Sequence, residues 1–139
     1  LGGYWEWRDL ALRRDVGQLS SDEQLAAARV RRSHERDVLS RALRREGLPG
    51  EGEAVSHADR CAAVHAFIAR TPAPLVAVSL DDLAGETEPV NLPGIDPTRY
   101  PSWSRRMSMP LEDIFRSPTA TRTLSAVRSE RDGPQTGPM

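Results

Sequence analysis

Several common features are scarce or absent in this sequence of 139 residues. It contains no lysine: all 19 basic residues are arginines, and 20 Asp and Glu residues balance them. This near neutrality argues against a nucleic acid or a membrane surface as the main partner. Cys61 is the single cysteine, which excludes an internal disulfide and a cysteine metal cluster and favours a cytoplasmic setting. No apolar run approaches the length needed to span a bilayer.

Motifs that mark common enzyme chemistry are also missing. There is no phosphate-binding loop, no Gly-x-Gly-x-x-Gly and no Gly-x-Ser-x-Gly. His34, His57 and His65 are scattered, and no set of His, Asp and Glu has the spacing of a zinc site. The sequence therefore predicts no metal centre. Cys61 lies in an alanine-rich stretch, where we interpret it as a small core residue rather than a nucleophile.

The chain lacks an initiator methionine, because it begins at Leu1 inside an amphipathic stretch. Apolar residues make up 38%, which is low for a self-sufficient globular domain. We therefore expect a part of a longer protein, and the missing start leaves a targeting signal undetermined.

Apolar spacing and capping residues predict helices along most of the chain. Ser21 and Gln24 have the spacing of a capping box, Ser56 is a second helix cap, and Gly17 and Gly47 follow predicted helix ends. The predicted helices span residues 4–16, 22–46, 57–69, 111–115 and 119–128.

The pattern changes between the third and fourth of these helices. Residues 75–80 form a short apolar run, typical of a strand buried on both faces in a parallel sheet or barrel. Asp81 and Asp82 follow at its carboxyl end, where α/β barrels place their substrate sites. Adjacent strand residues point to opposite faces, so only one of the two could reach a ligand. The alternative is that they are strand-end or helix-capping acids.

The next stretch is a candidate binding loop. Asn91 offers a donor and an acceptor, which suits a sugar hydroxyl, while Pro93 and Gly94 would stiffen the loop and let a ligand approach its backbone. The other interpretation is a plain turn. Trp103 with Arg105 and Arg106 is open to three interpretations: a cation–π cluster, a sugar-stacking platform with polar clamps, or, as we favour, a buried anchor beneath the loop.

Three motifs, in this order, resemble the C-terminal end of the 4-alpha-glucanotransferases, also called amylomaltases or disproportionating enzymes. They are Leu-Asp-Asp-Leu-Ala-Gly at 80–85, Asn-Leu-Pro-Gly at 91–94 and Tyr-Pro-Ser-Trp-Ser-Arg-Arg at 100–106. The opening residues 3–10 resemble the family segment that directly follows a Thr-His-Asp motif. The sequence departs from the usual family residues at four positions: Asp81 for Glu, Ile95 for Thr, Ser102 for Asn and Ser104 for Arg.

The resemblance implies an α/β fold, the C-terminal part of a (β/α)8 TIM barrel, mostly helical here with one clear buried strand. It implies a retaining transferase of α-1,4-glucan segments that needs no cofactor and whose three catalytic carboxylates lie upstream of Leu1. No catalytic residue is then expected in this chain. Residues 1–128 would belong to the barrel and 129–139 to a disordered tail. The residues expected to bind the maltooligosaccharide are Asn91, Pro93, Gly94 and Asp82.

Two other functions stay open. A different α-glucan-active barrel enzyme, such as a trehalose-forming one, would lack Thr-His-Asp before Leu1. A stand-alone helical interaction module would bind an acidic partner through the Arg-rich helix over residues 22–46. Interleaved Asp and Glu count against this module, because they cancel its basic field.

Overall fold

The computed structural model describes residues 1–50, 52 and 55–133. Within these residues all regular secondary structure is helical. It comprises α1 (Gly2–Trp5), α2 (Arg8–Asp15), α3 (Asp22–Arg45), α4 (His57–Ala69), α5 (Leu80–Ala84), α6 (Leu111–Ile114) and α7 (Pro118–Asp132). No helix of this described part is long and apolar enough to cross a membrane.

Local capping residues start and end the longer helices as predicted. The Ser21 hydroxyl accepts a hydrogen bond from Gln24 N at 3.2 Å, and Ser56 accepts one from Asp59 N at 3.1 Å. Gly47 follows α3 with φ +69°, a conformation that glycine adopts at little cost. The predicted limits of α3 and α4 are thereby confirmed.

The helix predicted over residues 4–16 is divided in two at Trp7. Its φ of 63° lies in the left-handed region, which is uncommon for a bulky residue. The break re-aims the chain so that Trp5 of α1 and Leu10 of α2 are both buried, at 5% and 2% exposure.

The strand predicted for residues 75–80 does not form, so the α/β class with one buried strand is wrong for the described part of the chain. Residues 75–79 form neither helix nor strand, and Leu75 is 88% exposed. Leu80 begins α5, where the Ser79 hydroxyl accepts from Asp81 N at 3.2 Å. The physical reason is that a strand needs neighbouring backbone, whereas a Ser cap followed by two acids starts a helix with local bonds alone.

The core is formed by one helix pair and two apolar clusters. Helix α4 packs along α7, and both bury small side chains that allow close approach: Cys61, Ala63, Ala66, Ala120 and Thr123. One cluster joins α2 to the later loop through Leu12, Val16, Leu92 and Tyr100. The other joins α5 to α6 and α7 through Leu83, Ala84, Ile114 and Ala120.

The end of α7 overlaps the predicted tail. The helix continues to Asp132, and Arg131 donates a hydrogen bond of 2.7 Å to Ala73 O. The remainder of the predicted tail, residues 134–139, lies outside the described residues.

Candidate functional site

The Asn91 loop, defined as residues 86–94, ends in a tight turn. Ile95 N donates to Leu92 O at 3.3 Å, and Gly94 has φ +76° after Pro93. Proline followed by a glycine at positive φ is the pattern of a type II turn. Leu92 is buried, while Pro93 and Gly94 are exposed. The turn is therefore anchored at its start and open to solvent at its tip.

The clasp segment, defined as residues 100–105, holds the Asn91 loop from one side. Three hydrogen bonds join the two segments: Tyr100 Oη to Pro89 O, Trp103 N to Val90 O at 2.8 Å, and Leu92 N to Ser102 Oγ at 3.2 Å. These bonds fix backbone groups directly before and directly after Asn91.

The Asn91 side chain itself is half-buried and hydrogen-bonds to none of the described residues. An amide that served the turn would bond the local backbone, as Asx turns do. Asn91 instead presents an uncommitted donor and acceptor on a fixed backbone. This is the arrangement expected of a ligand contact.

The exposure of Trp103 contradicts the interpretation that it is a buried anchor. It is 73% exposed, so it is not a buried anchor, and its φ is 63°. No arginine in the described part of the chain lies over its ring, which also removes the cation–π interpretation. Of the three interpretations, the sugar-stacking platform remains. The Trp103 indole is exposed beside Val90, on a strained backbone.

The cation–π contacts of the described residues occur instead around the N-terminal aromatics, to which α3 contributes two arginines and α4 contributes Arg60. Arg32 lies 3.8 Å from the Tyr4 ring, and Arg36 lies 5.3 Å from Trp5 and 5.2 Å from Trp7. Arg32 and Arg36, at the centre of α3, are thus used within the chain rather than presented to a partner.

Asp82 lies at a second location, in a cavity of about 340 Å³. Residues 86–89 of the Asn91 loop form one wall of this cavity, so the two locations adjoin. The cavity is lined by five carboxylates, those of Asp9, Asp81, Asp82, Glu86 and Glu88. Each faces a basic side chain: Asp9 pairs with Arg32, Asp82 with His65, Glu88 with Arg8, and Asp81 and Glu86 with Arg105.

The Asp82–His65 pair joins α5 to α4. His65 Nε2 lies 3.1 Å from Asp82 Oδ2. Burial raises the pKa of Asp82, whereas the hydrogen bond from His65 lowers it. The hydrogen bond to Asp82, with help from Cys61, raises the pKa of His65 to about 9.

Sequence reasoning missed both His65 and Arg105 as partners of these acids. His65 is 17 residues from Asp82, and Arg105 is 19 residues from Glu86. No spacing rule connects positions so far apart through irregular chain. The sequence indicated only that His65 lies at a helical position expected to be buried, and this does not identify its partner.

Residues 1–112 match the sequence model of a carbohydrate-active enzyme family, the 4-alpha-glucanotransferases. Three of the similar curated proteins are 4-alpha-glucanotransferases. Those of Mycobacterium tuberculosis and Mycobacterium bovis are each 31% identical over 140 aligned residues, which cover 95% of this chain and 19% of the relative. That of Haemophilus influenzae is 31% identical over 121 residues, 83% of this chain and 17% of the relative.

The chain therefore belongs to the 4-alpha-glucanotransferase family, and the resemblance read from its motifs is confirmed. It spans about a fifth of the length of these curated relatives, at 19% and 17%. No solved structure matches it.

Proposed function

We propose that this chain is the C-terminal part of a cytoplasmic 4-alpha-glucanotransferase. The whole enzyme would transfer α-1,4-glucan segments to a glucan or glucose acceptor by a retaining double displacement. Its catalytic carboxylates would lie upstream of Leu1, and this chain would contribute substrate contacts. Family membership and the names of the relatives support the activity.

The proposed role of this chain rests on one observation: the side-chain amide of Asn91 makes no hydrogen bond to the described residues. Its backbone neighbours are fixed by hydrogen bonds at Val90 O and Leu92 N, so little ordering is needed when a ligand binds. A sugar hydroxyl both gives and accepts a hydrogen bond, as an amide does. Pro93 and Gly94 shape the turn beside it.

Asp82 has a second, complementary role in this proposal. The hydrogen bond from His65 favours the ionised form of its carboxylate at the cavity wall, and each of its oxygens can accept more than one hydrogen bond. A glucose hydroxyl in the cavity would donate to it. The internal use of Arg32 and Arg36 speaks against the alternative of a helical module for acidic partners.

Asn91→Ala in the whole enzyme tests the proposal. Losing one neutral hydrogen bond to substrate costs about 0.5–1.5 kcal/mol, so kcat/KM should fall roughly 2- to 13-fold if the bond is fully expressed in the transition state. Steady-state kinetics with maltooligosaccharides and a melting curve on the same sample provide the measurement.

The control is His34→Gln, because His34 is exposed on α3 and belongs neither to the Asn91 loop nor to the cavity lining. His34→Gln should leave kcat/KM within twofold of the parent. A normal kcat/KM for Asn91→Ala, with a lowered melting temperature, would mean that Asn91 serves only the turn.

A further inference from the structure

The Arg105 guanidinium lies at the junction of three segments. Nη1 donates to the Glu86 carboxylate, and Nη2 donates to Glu88 O at 3.0 Å. Nη2 also lies 3.7 Å from Asp81 Oδ1 in α5. One side chain thereby joins the clasp segment to two points at the start of the Asn91 loop and to the helix that precedes it.

Glu86 completes this junction from the other side. Its second carboxylate oxygen accepts from Ser108 N, and its side chain is only 6% exposed. Burial raises the pKa of Glu86, but the bonds from Ser108 and Arg105 outweigh it and lower the pKa below its usual value. The buried carboxylate is therefore ionised and depends on Arg105 for its charge partner.

We infer that Arg105 is a positioning residue that sets the Asn91 loop in its substrate-binding geometry, an inference that rests on the proposed role of Asn91. Residues 86–92 contain no helix or strand, so contacts outside the loop must set their path. The planar fork of arginine can bond a carboxylate and a carbonyl at once in fixed directions, which a lysine ammonium cannot reproduce. Small displacements of a substrate-positioning group cost large factors in rate.

The test compares Arg105→Lys with Arg106→Lys in the whole enzyme. Arg105→Lys retains a charge beside Glu86 but loses the fork. Arg106 is its matched control, because it is exposed and forms no ion pair with the described residues. Arg105→Lys should lower kcat/KM about as much as Asn91→Ala, roughly 2- to 13-fold. Arg106→Lys should stay within twofold of the parent.

A double-variant cycle shows whether Arg105 acts through Asn91. If it does, adding Arg105→Lys to Asn91→Ala should reduce kcat/KM by less than half of its effect in the parent, on a logarithmic scale. Hydrogen–deuterium exchange should also accelerate in peptides covering residues 86–94 of Arg105→Lys and not of Arg106→Lys. If Arg105→Lys lowers the folded fraction, the same measurements on Arg105→Gln combined with Glu86→Gln replace it, since that pair leaves no unpaired buried charge.

Two outcomes would overturn the inference: multiplicative losses in the double variant, or unchanged exchange in residues 86–94 of a folded Arg105 variant. Failure of the proposed function looks different. In that case Asn91→Ala leaves kcat/KM unchanged, while hydrogen–deuterium exchange still reports whether Arg105 holds the loop.

Discussion

At the scale of single residues, the buried His65–Asp82 pair has the most definite consequence. Both side chains are nearly buried, at 7% and 14% exposure, and each shifts the pKa of the other toward the charged form. Removing one partner of such a pair leaves an uncompensated buried charge, which costs more than the pair itself contributes. The pair also fixes the carboxylate that lines the cavity.

The raised pKa of His65 predicts a pH dependence of stability. Below the ordinary histidine value of 6.5 the contribution of the pair is complete, and it is lost as pH rises through about 9. At pH 6 it amounts to about 3 kcal/mol, from a shift between 6.5 and about 9 at about 1.4 kcal/mol per pKa unit. His65→Gln should therefore lower the melting temperature of the whole protein at pH 6 more than at pH 10.

The exposed His34 provides the control, since His34→Gln should change the melting temperature little at either pH. An equal loss for His65→Gln at pH 6 and pH 10 would show that the imidazole stabilises only by packing. On the acid side the sign is reversed: the lowered pKa of Asp82 gives a contribution that is complete above the ordinary value of 3.8 and is lost as the pH falls below it.

At the scale of elements, the Arg-rich α3 is held against α1 and α2 by directed polar contacts. Arg32 is 8% exposed and donates to both carboxylate oxygens of Asp9, at 2.8 and 2.7 Å, and to Tyr4 O at 2.8 Å. Leu43 is the one apolar residue that α3 buries, so the helix gains little from burial and this fork supplies the fixed register.

Arg32→Lys should destabilise this attachment because an ammonium cannot make all three bonds. We expect a loss of about 1–3 kcal/mol in the free energy of unfolding, measured by denaturant titration of the whole protein. Arg31→Lys, at the exposed neighbouring position, should change it by less than about 0.5 kcal/mol. Similar effects for the two substitutions would contradict the role assigned to Arg32.

At the scale of the whole molecule, the chain leaves large apolar side chains uncovered. Val30, Leu75, Leu111 and Phe115 are 71%, 88%, 55% and 53% exposed. The chain also corresponds to only 19% of its Mycobacterium relatives. Scattered exposed apolar residues are ordinary, but these fit a segment whose surface belongs partly inside a larger protein.

The isolated 139 residues should neither transfer nor hydrolyse α-1,4-glucans. A retaining mechanism needs two opposed carboxyl groups about 5 Å apart across the substrate, and the carboxylates of this cavity are held by basic partners instead. Incubation of the purified chain with maltotriose, followed by oligosaccharide chromatography, should show maltotriose alone. The appearance of maltotetraose or glucose above a buffer control would contradict the prediction.

What the sequence by itself determined are the features whose causes are local. Ser21 and Ser56 start helices because each cap bonds a backbone N–H three residues away. The Pro93-Gly94 turn follows from the fixed φ of proline and the positive φ that glycine allows. The family is equally a property of the sequence. Only the tertiary structure decided that residues 75–80 form no strand, because strand formation depends on neighbouring backbone. Tertiary structure likewise decided the pairing of Asp82 with His65 and of Glu86 with Arg105, because contacts across 17 and 19 residues arise from packing and carry no periodic signal.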